Sequence, residues 1–245
     1  IQLDTLGTGS FIINATANTS NHDFDNVSVT HASTGTVTLA VSNTLDLTTN
    51  DLGSNNLIDV FNVFSGTLTL AESQVTTGSI SHVVTNTFGG VIIQVSTDSS
   101  TDFSTILTLV SGSSEKIQFI NDSTFTGDFG NSTVEVDSLK TLSVDASKVS
   151  GVSITNNGTV NVLNLDGTTD VNLSTITGTV NATWDGTATL QSSANLGNAQ
   201  VTVTNTSIMT LDNSATVSSA TFVIDAGSTL SYAAIKNSDV TVTTN

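Results

Sequence analysis

The sequence returns to one short pattern about every twenty residues: an apolar, strand-like run closed by Asp or Asn. In the second half of the chain the closing residues are spaced by 21, 19, 20 and 20 positions, at Asp145, Asp166, Asp185, Asn205 and Asp225. The runs before them alternate apolar and polar residues, which is the period of a half-buried β-strand. A repeat of this length is typical of a solenoid, in which stacked turns bury apolar positions that a single turn exposes.

Other rows of residues keep a similar interval. A second apolar row lies between the closing residues, at Ile154, Leu173, Leu190, Leu211 and Tyr232. Near the start of the chain, Leu3-Asp4, Phe24-Asp25 and Leu45-Asp46 are spaced by 21 and 21. The chain contains no Pro, which suits stacked strands because each turn needs its N–H groups for the ladder. We therefore expect an all-β fold, a β-solenoid (parallel β-helix) with turns of about 20 residues.

The middle third keeps the strand pattern but loses the even spacing. Loop insertions are expected at residues 96–104 (STDSSTDFS) and 121–131 (NDSTFTGDFGN). The sequence thus predicts a single elongated β-solenoid over residues 1–245, with regular turns at 1–60, irregular turns with loops at 61–130 and regular turns at 131–245.

The charge balance excludes several classes of partner. Four Lys, no Arg and 21 acidic residues give a net charge of −17. Such a surface cannot neutralise a phosphate backbone or anionic lipid, so we expect no nucleic-acid partner. No apolar run reaches the ~18 residues of a membrane helix, so no membrane insertion is expected. With no Cys, disulfides and thiolate catalysis are also excluded.

Aligned aspartates predict either cation sites or turns. Stacked corners would bring carboxylates within about 5 Å of each other, where they repel unless a cation such as calcium bridges them. The candidate metal ligands are the corner residues and two residues of a Gly-containing loop: Asp145, Asp166, Asp185, Asp225, Asp122 and Asp128. The alternative is that these side chains are solvated and accept hydrogen bonds from their own backbone turns. Calcium is the only cofactor expected.

The sequence contains few features that are typical of an enzyme active site. The chain has no nucleophile elbow of the G-x-S-x-G type, and its four Lys are scattered. The one place where an enzyme site is conceivable is Lys116 or Lys140 beside Asp122, Asp128 or Asp137. Trp184, the single Trp, lies on the inward positions of its strand pattern and is expected in the core.

The stretch VDASKVSGVSITNNGTVNVLNLDG resembles repeat regions of Gram-negative surface-layer proteins and large secreted adhesins. The resemblance rests on Asp145, Ala146, Ser147, Val149 and Gly151, and it covers roughly residues 133–245. It implies a calcium-dependent lattice or filament outside the bacterial cell. The nonapeptide calcium repeats expected in such proteins do not occur in this sequence.

Together these observations predict a non-enzymatic structural protein of an extracellular, bacterial cell-surface assembly. Its partners would be further copies of itself, in a lattice or filament, and cell-surface polysaccharide. Two alternatives remain open: an adhesin or fibre domain that binds carbohydrate in a polar or aromatic groove, and a polysaccharide-degrading β-helix enzyme with several carboxylates and a Lys in one cleft.

Overall fold

The computed structural model describes residues 2–5, 11–15, 28–31, 37–41, 45–46, 48, 60–76, 82–108, 114–167, 170–191, 193–212, 215–217, 219–232 and 241–244. The chain divides into two compact units. The first comprises residues 1–96, 101–118 and 128–133, and the second comprises residues 97–100, 119–127 and 134–245.

Strands dominate the described residues of both units. The strands are β1 (Gln2–Thr5), β2 (Phe11–Ala15), β3 (Ser28–His31), β4 (Val37–Val41), β5 (Leu45–Asp46), β6 (Val60–Ala71), β7 (His82–Val95), β8 (Leu107–Thr108), β9 (Ser114–Phe119), β10 (Ser123–Phe125), β11 (Thr133–Val136), β12 (Thr141–Asp145), β13 (Ile154–Asn156), β14 (Thr159–Leu165), β15 (Thr179–Trp184), β16 (Thr187–Leu190), β17 (Gln200–Val203), β18 (Ile208–Leu211), β19 (Thr221–Ile224), β20 (Thr229–Tyr232) and β21 (Thr241–Thr244). The helices are α1 (Glu72–Thr76), α2 (Phe103–Ile106) and α3 (Ala146–Val149). None of these three helices approaches the length needed to cross a membrane.

The second unit confirms the predicted β-solenoid. Its main sheet has seven strands in the order β10-β12-β14-β15-β17-β19-β21, and every neighbouring pair is parallel. One inward column runs through all seven turns, with steps of 18 to 21 residues: Phe125, Val144, Val162, Ala182, Val201, Phe222 and Val242. All but Val242 are buried, so each turn supplies apolar surface that the next turn covers.

A smaller parallel sheet of three strands also belongs to this unit. Strands β16, β18 and β20 pair in register, and they align Leu190, Leu211 and Tyr232 as the second apolar row predicts. The predicted alignment of Ile154 with Leu173 was wrong, because Ile154 pairs with Ile176 instead. Leu173 lies at a corner instead, where its N–H donates to the Asn195 carbonyl. Similar spacing in the sequence therefore grouped residues of two different columns.

The first unit is also built from parallel strands. In it β2, β4, β6 and β7 pair in this order, β5 pairs with β6, and β8 pairs with β7. Its core includes the inward residues Leu68, Leu70, Val91 and Ile93.

Turn lengths in the first unit differ from the predicted interval of 21. Strand β1 pairs with β3 so that Asp4 lies opposite Thr30. The predicted partner Asp25 lies outside the described residues.

The predicted loop at residues 121–131 contains a strand. Ser123 and Phe125 alternate inward on β10 and are buried, while Thr124 between them is exposed. A strand of three residues is too short for its alternation to separate it from a loop by sequence.

The extension of one solenoid over residues 1–245 stays a prediction.

Candidate functional site

The predicted closing residues follow successive strands of the seven-stranded sheet. Asp145 is the last residue of β12, and Asp166, Asp185 and Asp225 come directly after β14, β15 and β19. The register pairs Leu165 with Trp184, so Asp166 and Asp185 follow aligned residues on adjacent turns. We call Asp145, Asp166, Asp185 and Asp225 the acidic corner. Asp145 pairs with Leu163 and is therefore out of register with Asp166. Val203 pairs with both Trp184 and Ile224, so Thr204 and not the predicted Asn205 lies level with Asp185 and Asp225. The predicted single column of closing residues is thus confirmed only in part.

Asp145 shapes the chain immediately after it. Its Oδ1 accepts hydrogen bonds from the Ser147 N–H at 2.9 Å and from the Ser147 hydroxyl at 2.6 Å. It is the N-cap of α3, with an extended backbone, which satisfies an N–H that the first helical turn leaves free. Ala146 and Val149 are thereby turned into the core. The motif Asp-Ala-Ser thus converts a strand end into a corner.

An Asn on the next turn meets the same carboxylate. Asn164 donates from Nδ2 to Oδ2 of Asp145 at 2.8 Å. The strand register shifts between Val162 and Leu165, and Asn164 has a φ of 54° there. Among non-Gly residues, Asn tolerates this left-handed conformation best. Asp145 is therefore opposed by an amide donor and not by another carboxylate.

The same pairing recurs two turns further along. Asn205, with a φ of 55°, donates from Nδ2 to Oδ2 of Asp185 at 3.4 Å. The Ser207 hydroxyl lies 3.3 Å from Oδ1 of Asp185. Amide and hydroxyl donors between carboxylates reduce the repulsion that a pure Asp column would suffer. Asn164 was missed by sequence reasoning. The available signal was an Asn interrupting the apolar alternation of VLNLD.

The environment lowers the pKa of Asp145. Partial burial alone would raise this pKa, but the hydrogen bonds from the Ser147 hydroxyl, the Asn164 amide and the Ser147 N–H outweigh it, and the Lys148 charge adds to them. The net pKa of the carboxyl is below its ordinary value of 3.8. The carboxylate is thus held ionised by groups of its own corner.

The two loop candidates also accept backbone hydrogen bonds. Oδ1 of Asp122, in the second unit, accepts from the Thr141 N–H at 2.8 Å. Oδ1 of Asp128, in the first unit, accepts from the Gly130 N–H at 2.8 Å. Each carboxylate therefore supports local backbone, whatever else it binds.

A corner motif emerges from these contacts. In each instance Oδ1 of an Asp or Asn accepts the N–H two residues later, and the intervening apolar side chain is at most 2% exposed. The instances are Asp102-Phe103-Ser104, Asp128-Phe129-Gly130, Asp145-Ala146-Ser147, Asn172-Leu173-Ser174 and Asn195-Leu196-Gly197. Such side-chain turns need no metal. They support the turn alternative for the Asp residues that take part.

A calcium role for the six predicted ligands stays a prediction. Within the described residues, no group of three or more His, Asp or Glu side chains is arranged to hold a metal ion. Calcium takes 6–8 oxygen ligands, which include carbonyl and hydroxyl oxygens. A site here would therefore need backbone, Ser or Asn oxygens beside single carboxylates.

Two concave features lie away from the acidic corner. In the second unit, a shallow polar groove of about 340 Å³ is lined by Asp98, Ser99, Ser100, Thr124 and Thr126. Thr124 donates its N–H to Oδ1 of Asp98 at 2.7 Å, which joins the two walls.

The second feature is a cavity of about 160 Å³ in the first unit, lined by Glu115 and Lys116 among others. Lys116 is the one candidate Lys that lines it. Asp122, Asp128 and Asp137, the predicted acidic partners of an enzyme site, are not among the lining residues.

Comparison of the chain with protein-family models, with curated proteins and with solved structures finds no significant match.

The residues that carry the surface-layer resemblance do occupy one place in the fold. Asp145, Ala146, Ser147 and Val149 form the capped corner before β13. Gly151 follows with a φ of 75°.

Proposed function

We propose that this protein is a non-enzymatic structural subunit of a bacterial cell-surface assembly, a surface-layer lattice or a filament. The observation that carries the proposal is the seven-turn parallel stack, whose inner column repeats through every turn. Repetition of one unit builds length and stiffness, because every strand is hydrogen-bonded to its neighbours.

The corner residues support a structural role. The carboxylates of Asp102, Asp128 and Asp145 accept backbone N–H groups two residues further along the chain. Carboxylates used in this way fix the backbone conformation of the turn and are less available as catalytic acids or bases. Repeating the motif in both units favours a building element over a single reaction centre.

Assembly of such a chain requires a way to offset its charge of −17. Divalent cations with oxygen ligands are suited to this, and extracellular calcium sites bind in the range of about 10⁻⁴–10⁻³ M. We therefore propose calcium as the stabilising ion, at the acidic corner or beside Asp122 and Asp128. Its action would be to join carboxylates within one copy or between copies.

The test is sedimentation combined with thermal melting, in calcium, in chelator, and in NaCl matched for ionic strength. The structural proposal expects reversible, concentration-dependent association in at least one of these conditions. A monomer at every concentration and in every condition would overturn it. Association and melting temperature that are equal in calcium and in chelator would remove calcium while leaving the structural role.

Carbohydrate binding is the second candidate, favoured by the polar groove at Ser99 and Thr124. Its walls come from the two segments in which loops were predicted, and hydroxyls of this kind hydrogen-bond sugars. Titration with purified cell-surface polysaccharide, for wild type and for Ser100→Trp, tests it. Saturable binding that the bulky Ser100→Trp side chain abolishes supports an adhesin. Absence of heat and of spectral change in wild type contradicts it.

A further inference from the structure

We propose that two copies of the chain pack side by side through the outer face of the seven-stranded sheet. This inference rests on the proposed structural function and names its contact surface. The centre of the face is one outward column in register across successive turns: Ser143, Asn161, Asn181, Gln200, Thr221 and Thr241. We call this set the amide–hydroxyl column.

The column is continuous and uncharged. Its side chains are partly or fully exposed, and Asn181 donates from Nδ2 to Oδ1 of Asn161 at 3.3 Å. The neighbouring outward column carries Thr183, Thr202 and Val223. The only outward carboxylate on the described strands of this sheet is Asp145, at the margin.

Charge distribution permits contact between copies on this face, and its seven strands make it larger than the similarly uncharged sheet of β16, β18 and β20. A chain with a net charge of −17 repels its own copies wherever carboxylates face each other. At physiological salt this repulsion acts over about 8 Å. A sheet face without outward charge allows close approach, because the acidic corner lies at its edge.

The chemistry of the column is complementary to itself. Amides and hydroxyls both donate and accept hydrogen bonds, so two copies of the column can pair around a two-fold axis that runs along the column. This axis places each acidic corner opposite the other edge of the second copy's sheet. A two-fold interface requires this self-complementarity, since the same surface is used twice. Polysaccharide is a weaker fit, because the described residues of this face include no aromatic side chain to stack on a sugar.

The size of the face predicts a weak contact. Seven strands about 4.8 Å apart and outward positions about 7 Å apart along each strand give roughly 400–500 Å² per copy. The pair would bury about 900 Å² in total, which is below the roughly 1,200 Å² of stable specific interfaces and within the range of weak, transient contacts. Weak contacts of this kind suit a lattice or filament, in which each copy makes several.

The experiment uses the full chain and isosteric charge substitutions. Asn181→Asp combined with Gln200→Glu adds two charges to the column, and therefore four to a two-fold contact. Gln191→Glu combined with Asn198→Asp is the matched control, because it adds the same charge outside the strands of this sheet. In the wild-type protein, the Gln191 side chain donates to the Gly167 carbonyl and the Asn198 side chain donates to the Gly178 carbonyl. Circular dichroism melts establish that both variants fold.

Sedimentation equilibrium should show that the face variant needs about tenfold more protein than wild type for half-association. The control should associate as wild type does. Equal weakening in both variants would assign the effect to net charge and overturn the inference. Unchanged association of the face variant would overturn it too, while leaving the structural function in place.

Two other outcomes also decide the matter. A wild-type chain that never associates, at any salt or calcium concentration, would overturn the proposed function and this inference together. Loss of polysaccharide binding in the face variant, with self-association intact, would assign the face to a sugar and not to a second copy.

Discussion

The side-chain amide of Asn164 donates a 2.8 Å hydrogen bond to Oδ2 of Asp145, nineteen residues earlier in the chain. The contact joins two turns of the solenoid at a corner where Asp145 also caps α3. One carboxylate therefore holds its own turn through Oδ1 and the next turn through Oδ2. These donors reduce the repulsion between carboxylates at the acidic corner.

The first prediction separates the amide of Asn164 from its backbone conformation. Asn164→Gly keeps the left-handed backbone at low cost and removes the donor, whereas Asn164→Ala also adds strain of about 1 kcal/mol. Both variants should raise the pKa of Asp145 toward its ordinary value, and Asn164→Ala should be the less stable. NMR titration of the Asp145 carboxyl and urea unfolding measure these effects. Asn205→Gly, which alters the corresponding donor to Asp185, should leave the Asp145 titration unchanged.

The second prediction concerns pH. The folded-state pKa of Asp145 is below 3.8, so its charge contributes stability that is fully present above the unfolded-state pKa and is lost as pH falls through the folded-state pKa. Asn caps a helix about as well as Asp, so Asp145→Asn keeps the cap and removes the charge together with the acceptor for Asn164. The difference in unfolding free energy between wild type and Asp145→Asn should be largest near about pH 6 and should shrink toward about pH 2. A difference that grows on acidification would contradict the assignment.

The third prediction uses two glycines with similar backbone conformations. Gly167 and Gly151 have φ values of +77° and +75°, but a Cβ on Gly167 would lie 2.5 Å from the Thr189 carbonyl oxygen and 2.8 Å from Trp184, whereas one on Gly151 meets nothing within 4 Å. Gly151→Ala should cost about 1 kcal/mol of strain. Gly167→Ala should cost about 1–3 kcal/mol more, from overpacking. Chemical denaturation of both variants provides the comparison, and equal costs would show that the turn at Gly167 can move.

The fourth prediction distinguishes hydrogen bonding from metal binding at Asp122. If its role is to accept the Thr141 N–H, Asp122→Asn retains the acceptor and should melt like wild type. Asp122→Ala should then lower the free energy of unfolding by about 1 kcal/mol. If calcium binds there, Asp122→Asn should lose the calcium-dependent part of its melting temperature. Melts of the two variants with calcium and with chelator separate the two roles.

The fifth prediction tests the core at Trp184. This side chain is fully buried, and its Nε1 donates to the Gly186 carbonyl at 3.2 Å. Trp184→Ala should destabilise the second unit by about 3–5 kcal/mol. Leu139, which is 94% exposed, supplies the control, because Leu139→Ala should change stability by less than about 0.5 kcal/mol. Similar losses of stability in both variants would contradict the burial of Trp184 and the exposure of Leu139.

Much of the solenoid could be predicted because its signal is local and repeated. The runs ending at Asp145, Asp166, Asp185 and Asp225 each carry the alternation that turns one face inward. The burial of Trp184 followed from the same alternation and is confirmed. The predicted alignment of Leu190, Leu211 and Tyr232 is likewise confirmed.

Features that depend on contacts between turns were missed. The irregularity of β14 at Asn164, whose amide contacts Asp145, leaves only a weak trace in the sequence. The pairing of Ile154 with Ile176, and not with Leu173, depends on how many residues each corner takes up. The helices α2 and α3 are too short to have a periodicity of their own and are set by the caps Asp102 and Asp145.

In the second unit, the sequence by itself determined the strand type, the repeat length and the places where strands end, because alternation and Asx turns act over two to four neighbouring residues. The tertiary structure alone decided which residues of successive turns face each other. That choice depends on the length of each corner, and one residue more or less moves a whole strand to a new partner. The hydrogen bond from Asn164 to Asp145 and the alignment of the amide–hydroxyl column across successive turns both depend on that register.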